Sequence, residues 1–180
     1  MVKPDRKILI DADVVSHFVT AEEGQMMNKI FPNNNIYILD KVHAELQKWK
    51  NEKLLSEVSR LISKKVIRLM NFPEDNPEIV REYAWIKSML FKGEGESACL
   101  AVARYDKQIL ASSNLKDIKN YCATHTIDYL TTMDFLCQAF QKEIFDEDRC
   151  NDFIAKVKAS GSRLPKNTMS EYECRIIDFM

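Results

Sequence analysis

The 180-residue chain predicts a three-layer α/β/α sandwich built on a mostly parallel sheet of about five strands. Two observations carry this expectation. Short apolar runs near 7–10, 36–39, 66–70, 108–112 and 127–130 alternate with segments whose apolar residues recur at helical spacing. The composition, 46% hydrophobic and 29% charged, is that of a folded domain large enough to bury a core.

The elements follow in order. K-I-L-I, ending before Asp11, reads as a buried strand, and residues 12–19 and 22–30 read as helices, with Thr20 an N-cap for the second and Glu23 three residues on. Pro32 and Asn33-Asn34-Asn35 form a turn before the strand I-Y-I-L. Asp40 is expected to cap a helix that places Val42, Leu46 and Trp49 on one face. A helix over 53–64 and a strand over 66–70 follow. Ile79, Val80, Tyr83, Ile86, Met89 and Leu90 mark an amphipathic helix, and Gly93 and Gly95 flank Glu94 ahead of the helical S-A-C-L-A-V-A. After the strand at 108–112 come a helix at 115–123, the strand at 127–130, and a helix capped by Thr131 or Thr132. The main domain is expected over 1–145, with a helical, polar C-terminal appendage over 146–180.

Several function classes are disfavoured. A net charge of -1 gives no global basic signature, so nucleic-acid binding must rest on a local patch or on metal ions. With 4 glycines there is no glycine-rich phosphate loop. Three isolated histidines, His17, His43 and His125, make no zinc motif. Ser112 and Ser113 lack the glycine elbow of acyl-transfer hydrolases. No apolar run suits a membrane span or a secretory signal, and the scattered Cys99, Cys122, Cys137, Cys150 and Cys174 read as free thiols. The expectation is a cytoplasmic protein in a reducing compartment.

The residues that carry chemistry are acids. In a parallel α/β sheet, ligands bind beyond the carboxyl ends of the strands where the strand order reverses. Asp11 directly follows the first strand, and Asn114 and Asp117 follow the strand at 108–112; Glu45 and Glu96 come from helices. Gathered carboxylates raise one another's pKa unless a cation neutralises them. A hard Mg²⁺ or Mn²⁺ ion suits such oxygen ligands and can activate water for phosphodiester hydrolysis.

This ordered set resembles the PIN-domain nuclease family. I-L-I-D-A-D-V-V-S-H-F resembles its opening strand and turn, with Asp11 as metal acid and Asp13 as support. I-L-D-K-V-H-A-E-L is similar to the segment carrying an acid at Glu45, and G-E-G-E-S-A-C-L-A-V-A to the helix start carrying Glu96, with Glu94 as helper. I-L-A-S-S-N-L-K-D-I resembles the strand followed by Asn114 and Asp117, and I-D-Y-L-T-T-M-D-F-L the closing strand and helix. The resemblance covers roughly residues 6–140. It implies one or two Mg²⁺ or Mn²⁺ ions held by Asp11, Glu45, Glu96 and Asp117, with Asp13, Glu94 and Asn114 supporting them. It also implies RNA as substrate and brings in a homodimer and, for toxin-type members, a cognate antitoxin as partners.

Two competing readings stand beside it. Asp11-x-Asp13 after a strand also opens phosphatases of the haloacid-dehalogenase type, which additionally need a late acidic pair and a phosphate-steadying lysine. A non-catalytic PIN-like module would bind RNA or a protein and cut nothing. Lys116 and Lys119, beside Asp117, and His17 are the expected phosphate contacts; Lys48, Lys50, Lys53, Lys64, Lys65 and Arg68 read as solvated faces, and Trp49 and Trp85 as packing groups.

Overall fold

The computed structural model describes residues 5–90 and 93–180; the polar start of the chain at 1–4 lies outside them. Five strands, β1 (Ile8–Ile10), β2 (Ile36–Leu39), β3 (Arg68–Met70), β4 (Ile109–Ala111) and β5 (Tyr129–Leu130), form one sheet in the order β3-β2-β1-β4-β5. Every pairing is parallel. Helices lie between consecutive strands, as parallel neighbours require. β1 is central and fully buried, which explains an apolar run without alternation. The edge strand β3 is the exposed one, with Leu69 turned to solvent.

The chain adds β2 and β3 on one side of β1, then returns to add β4 and β5 on the other. The order therefore reverses between β1 and β4, and the loops leaving these two strands diverge to open a crevice. The predicted α/β fold is thus the observed one.

Helix α1 (Ala12–Thr20) starts directly on the end of β1, its N-cap Asp11 accepting from the Ala12 amide. Next come α2 (Met27–Ile30), α3 (Asp40–Lys48), α4 (Glu52–Ser63), α5 (Pro77–Met89), α6 (Glu94–Tyr105), α7 (Leu115–His125), α8 (Thr132–Gln141) and α9 (Glu147–Ala159). Phe18 of α1 packs edge-on against Phe135 of α8 and Phe153 of α9, at 5.3 and 4.9 Å between ring centroids. Cys150, Phe153, Ile154 and Val157 of α9 are buried in the same apolar cluster as the sheet. Helix α9 thus packs into the core beside α1 and α8.

Local expectations are corrected at several points. Thr20 is the last residue of α1, not the cap of a following helix. Glu23 instead makes a two-pronged ion pair with Arg149, at 2.6 and 2.7 Å, tying this turn to α9. Residues 24–26 form a 3-10 turn, so the expected helix over 22–30 shrinks to a single α-turn. Asp40 is the first residue of α3 rather than its cap. Its Oδ1 accepts from the Phe72 amide at 3.0 Å and ties α3 to the loop after β3. Trp49 lies beyond the end of α3, where the chain turns through Lys50 at φ 53, and so leaves the buried face of Val42 and Leu46. Trp85, Met89 and Leu90 are likewise exposed, while Ile79 and Ile86 provide the buried face of α5.

The cysteines are corrected too. Cys137 of α8 is joined to Cys174 by a disulfide, with Cα atoms 5.8 Å apart, while Cys99, Cys122 and Cys150 are free and buried. The partners are 37 residues apart, so no local spacing betrays them. The bond forms because residues 160–180 run back as a strap across α8. With it, the cysteine argument for a reducing compartment falls. Among the described residues no helix is long and apolar enough to cross a membrane.

Candidate active site

A cavity of about 410 Å³ opens at the carboxyl ends of β1 and β4, lined by Asp11, Asp13, Glu45, Glu96, Asn114 and Asp117. The elements that bring these six together are few. Asp11 and Asp13 sit on the turn from β1 into α1. Asn114 is the N-cap of α7 and Asp117 lies in its first turn. Glu45 comes from α3, and Glu96 from the first turn of α6.

The backbone pins these loops to one another. Asp13 accepts through Oδ2 from the Ser113 amide, at 2.8 Å, joining the β1 turn to the β4 loop. Ser113 and Thr132 exchange hydrogen bonds, the Thr132 amide donating to Ser113 Oγ at 2.9 Å and the two hydroxyls meeting at 2.8 Å. His17 Nδ1 meets Thr132 Oγ1 at 2.8 Å. This polar chain ties α1, the loop after β4 and the head of α8 together. It was invisible in the sequence because its members are up to 115 residues apart.

A second device sets α6. Glu45 Oε2 accepts from the Gly95 amide at 2.9 Å, capping the N-terminus of α6 from a neighbouring helix. The approach is so close that a Cβ at Gly95 would lie 2.9 Å from that oxygen and 3.1 Å from the Val42 backbone. Glycine is needed here for space, not for its φ. On the rim, Asn114 Nδ2 donates to Asp117 Oδ2 at 2.7 Å and orients that carboxylate.

Electrostatics single out the deeper acids. Asp11 and Glu96 are 6% and 7% exposed. Burial, reinforced by the neighbouring carboxylates, raises the Asp11 pKa well above the usual range and pushes that of Glu96 up to about 8. Burial lifts Asp13 to about 6 against the opposing pull of the Ser113 and Val14 amides. Glu96 Oε1 is buried with no hydrogen-bond partner, a costly arrangement that calls for a proton or a cation.

The remaining expected site residues fall elsewhere. Glu94 lies outside the cavity, clamped between Lys87 at 2.9 Å and Lys48 at 3.1 Å, and these lysines hold its pKa down to about 2. His17 is buried among protein groups rather than open to a phosphate, and burial lowers its pKa to about 4. Lys116 lines an adjoining cavity of about 360 Å³, whereas Lys119 is exposed and lines neither. Trp49 and Leu90, which the periodicity assigned to the core, form the lip of the acidic cavity.

The donor set fits a hard divalent ion. The ligands on offer are carboxylate and carboxamide oxygens, and one of them, Glu96 Oε1, lacks a partner. Among the described residues no three acidic, histidine or cysteine groups are drawn into a ready-made metal cage. Mg²⁺ does not need one, since it keeps several waters and takes one or two carboxylates directly. No Lys or Arg occurs among the described residues lining the cavity. No protein-family model matches the chain, and no curated protein matches it.

Proposed function

We propose that this chain is a PIN-type endoribonuclease dependent on Mg²⁺ or Mn²⁺. The observation that supports this reading best is the convergence of Asp11, Glu45, Glu96 and Asp117 from four separate segments on the crevice where the strand order reverses, with Glu96 Oε1 buried and unpartnered. Acids in the order that resembles the PIN family thus line one cavity.

Asp11 and Glu96, with Asp117 and Glu45 nearer the rim, would hold the ion. When bound, it supplies an activated water and charge stabilisation for in-line phosphodiester hydrolysis. The protein's own groups do the rest. Asp13, held by the Ser113 amide, keeps the β1 and β4 loops in register so that Asp11 and Asp117 face one crevice. Asn114 fixes the rotamer of Asp117. Glu45 anchors the start of α6 and thereby the position of Glu96 one residue beyond Gly95. The buried carboxylates of Asp11 and Glu96 are poor hosts for their own charge, so they would give up their protons most readily with a cation beside them.

The test is incubation of total RNA and of a small phosphoester with the protein and Mg²⁺ or Mn²⁺, alongside Asp11→Asn. Internal RNA cleavage by the parent alone is expected, together with a rise in its melting temperature on adding Mn²⁺ that the variant lacks. No cleavage and no Mn²⁺ response would overturn the proposal. Phosphate release from the small ester without RNA cleavage would replace it with a phosphatase.

A further inference from the structure

We infer that Trp49 and Trp85 are base-stacking residues that receive the unpaired nucleotides on either side of the phosphate held at the acidic crevice. This inference rests on the nuclease reading and adds the form of its substrate.

The acidic cavity does not end at Asp117. Leu90 and Asp117 line both it and the adjoining cavity, so the two are lobes of one trough across a shared saddle. A polynucleotide seated with a phosphate at the acids must lay its next residues in the neighbouring lobe. That lobe offers Trp85 as a wall, Lys116 as a cation, and Asn120 and Thr124 as polar groups. The first lobe has Trp49 at its lip.

Both tryptophans of the chain are thus at the mouth of the trough, 46% and 47% exposed. Tryptophan is normally among the most buried side chains, and apolar groups clustered at the surface mark a binding face. Neither ring packs the core; Val42 and Leu46 do that for α3, and Ile79 and Ile86 for α5. Their polar surroundings suit nucleotides. Lys116 lines the same lobe as Trp85. An indole face in a lobe that also offers a cation matches a nucleobase with its phosphate, and stacking of this kind requires bases that are not already paired. A duplex presents no free base face to either ring.

The absence of other tryptophans supplies the measurement. The parent protein in Mg²⁺ is titrated with a mixed-sequence single-stranded oligoribonucleotide carrying hydrolysis-resistant phosphorothioate linkages, and with the same strand annealed to its complement, following tryptophan emission. The single strand is expected to quench emission, the duplex far less. Trp49→Phe and Trp85→Phe each leave one reporter, and each should retain quenching and most of the affinity. Trp49→Ala or Trp85→Ala should weaken single-strand binding about ten-fold, a typical loss for one stacked base. Circular dichroism and an unchanged melting temperature establish that these exposed substitutions leave the fold intact. Equal quenching by duplex, unchanged affinity in both alanine variants, or no binding of the strand overturns the inference. Cleavage by the parent that is indifferent to both tryptophans would do so while leaving the nuclease reading standing. Tryptophan-dependent binding without cleavage by the parent would do the opposite.

Discussion

Glu96 and Asp134 are both buried acids at the carboxyl edge of the sheet, and they are handled in opposite ways. Asp134 is 1% exposed, and its oxygens are fully occupied. Oδ2 accepts from the Thr131 amide at 2.7 Å, from Thr131 Oγ1 at 2.9 Å and from Arg175 Nη2 at 2.7 Å, and Oδ1 accepts from Arg175 Nε at 2.8 Å. Glu96, almost as buried, has an oxygen with no partner and only acids for charged neighbours close by. The difference separates two uses of a buried charge. A satisfied carboxylate caps α8 and latches the strap, whereas an unsatisfied one stores an electrostatic debt that an incoming ligand can relieve.

The strongest way to break this contrast is at the acidic site. Asp11→Asn and Glu96→Gln should each abolish RNA cleavage, read as product bands over time, while far-ultraviolet circular dichroism stays that of the parent. Residual activity near the parent level in either variant would remove that acid from the chemistry. Next in size is Asp134→Ala, which removes the carboxylate that Arg175 and the Thr131 amide and hydroxyl share. A loss of about 3 kcal/mol in urea unfolding is expected, because the Thr131 donors lose their buried acceptor, whereas the partly exposed Arg175 keeps the Tyr129 carbonyl. Cys174→Ser, or reduction of the parent, opens the same latch beside Arg175. It should cost about 3 kcal/mol in the same measurement.

The smallest effect has the opposite sign. Glu96 ordinarily titrates near 4.5 and in the fold near 8. Between those values the folded protein holds a proton that the unfolded chain releases, so metal-free stability falls as pH rises. Asp11 and Asp13 act in the same direction. His17 opposes them, since its pKa drops from 6.5 to about 4, and it favours the fold as pH rises through that interval. Above pH 6.5 the His17 contribution is complete, while Glu96 is still releasing its proton. Glu96→Gln should therefore stabilise the metal-free protein at pH 8, and its melting temperature should vary less between pH 6.5 and 8. A parent whose stability rises over that interval would contradict the electrostatic account.

The fold was legible because its signals are local. An apolar strand buried on both faces, such as β1, and the acid at its end are contiguous in sequence, as are Asn114 and Asp117 after β4. The gathering of Asp11, Glu45, Glu96 and Asp117 followed once strand order was assumed, since the reversal puts those segments on one edge. What stayed hidden depends on distant partners. The Cys137–Cys174 bond, the Arg175 latch and the His17–Thr132–Ser113 chain join segments 37, 41 and 115 residues apart. Periodicity also misplaced Trp49, because it projects a helical face past the point where α3 stops. Glu94 and Glu96 differ by two residues and hence by face. The lysines on either side of α6 take the first, and the crevice takes the second.

The strap has a consequence for how the molecule is made. Arg175 follows Asp134 by 41 residues, which at 5–20 residues per second is roughly 2–8 s of synthesis. During that time α8 can form and its aromatic face can collapse onto α1, but the acid at its head has no cation. The charged seal on α8 is therefore complete only once Arg175 has emerged. Truncation or a stall before Arg175 leaves a nascent chain with a sheet and a core but an unfinished seal, a state that the quality-control machinery of a cell is well suited to detect.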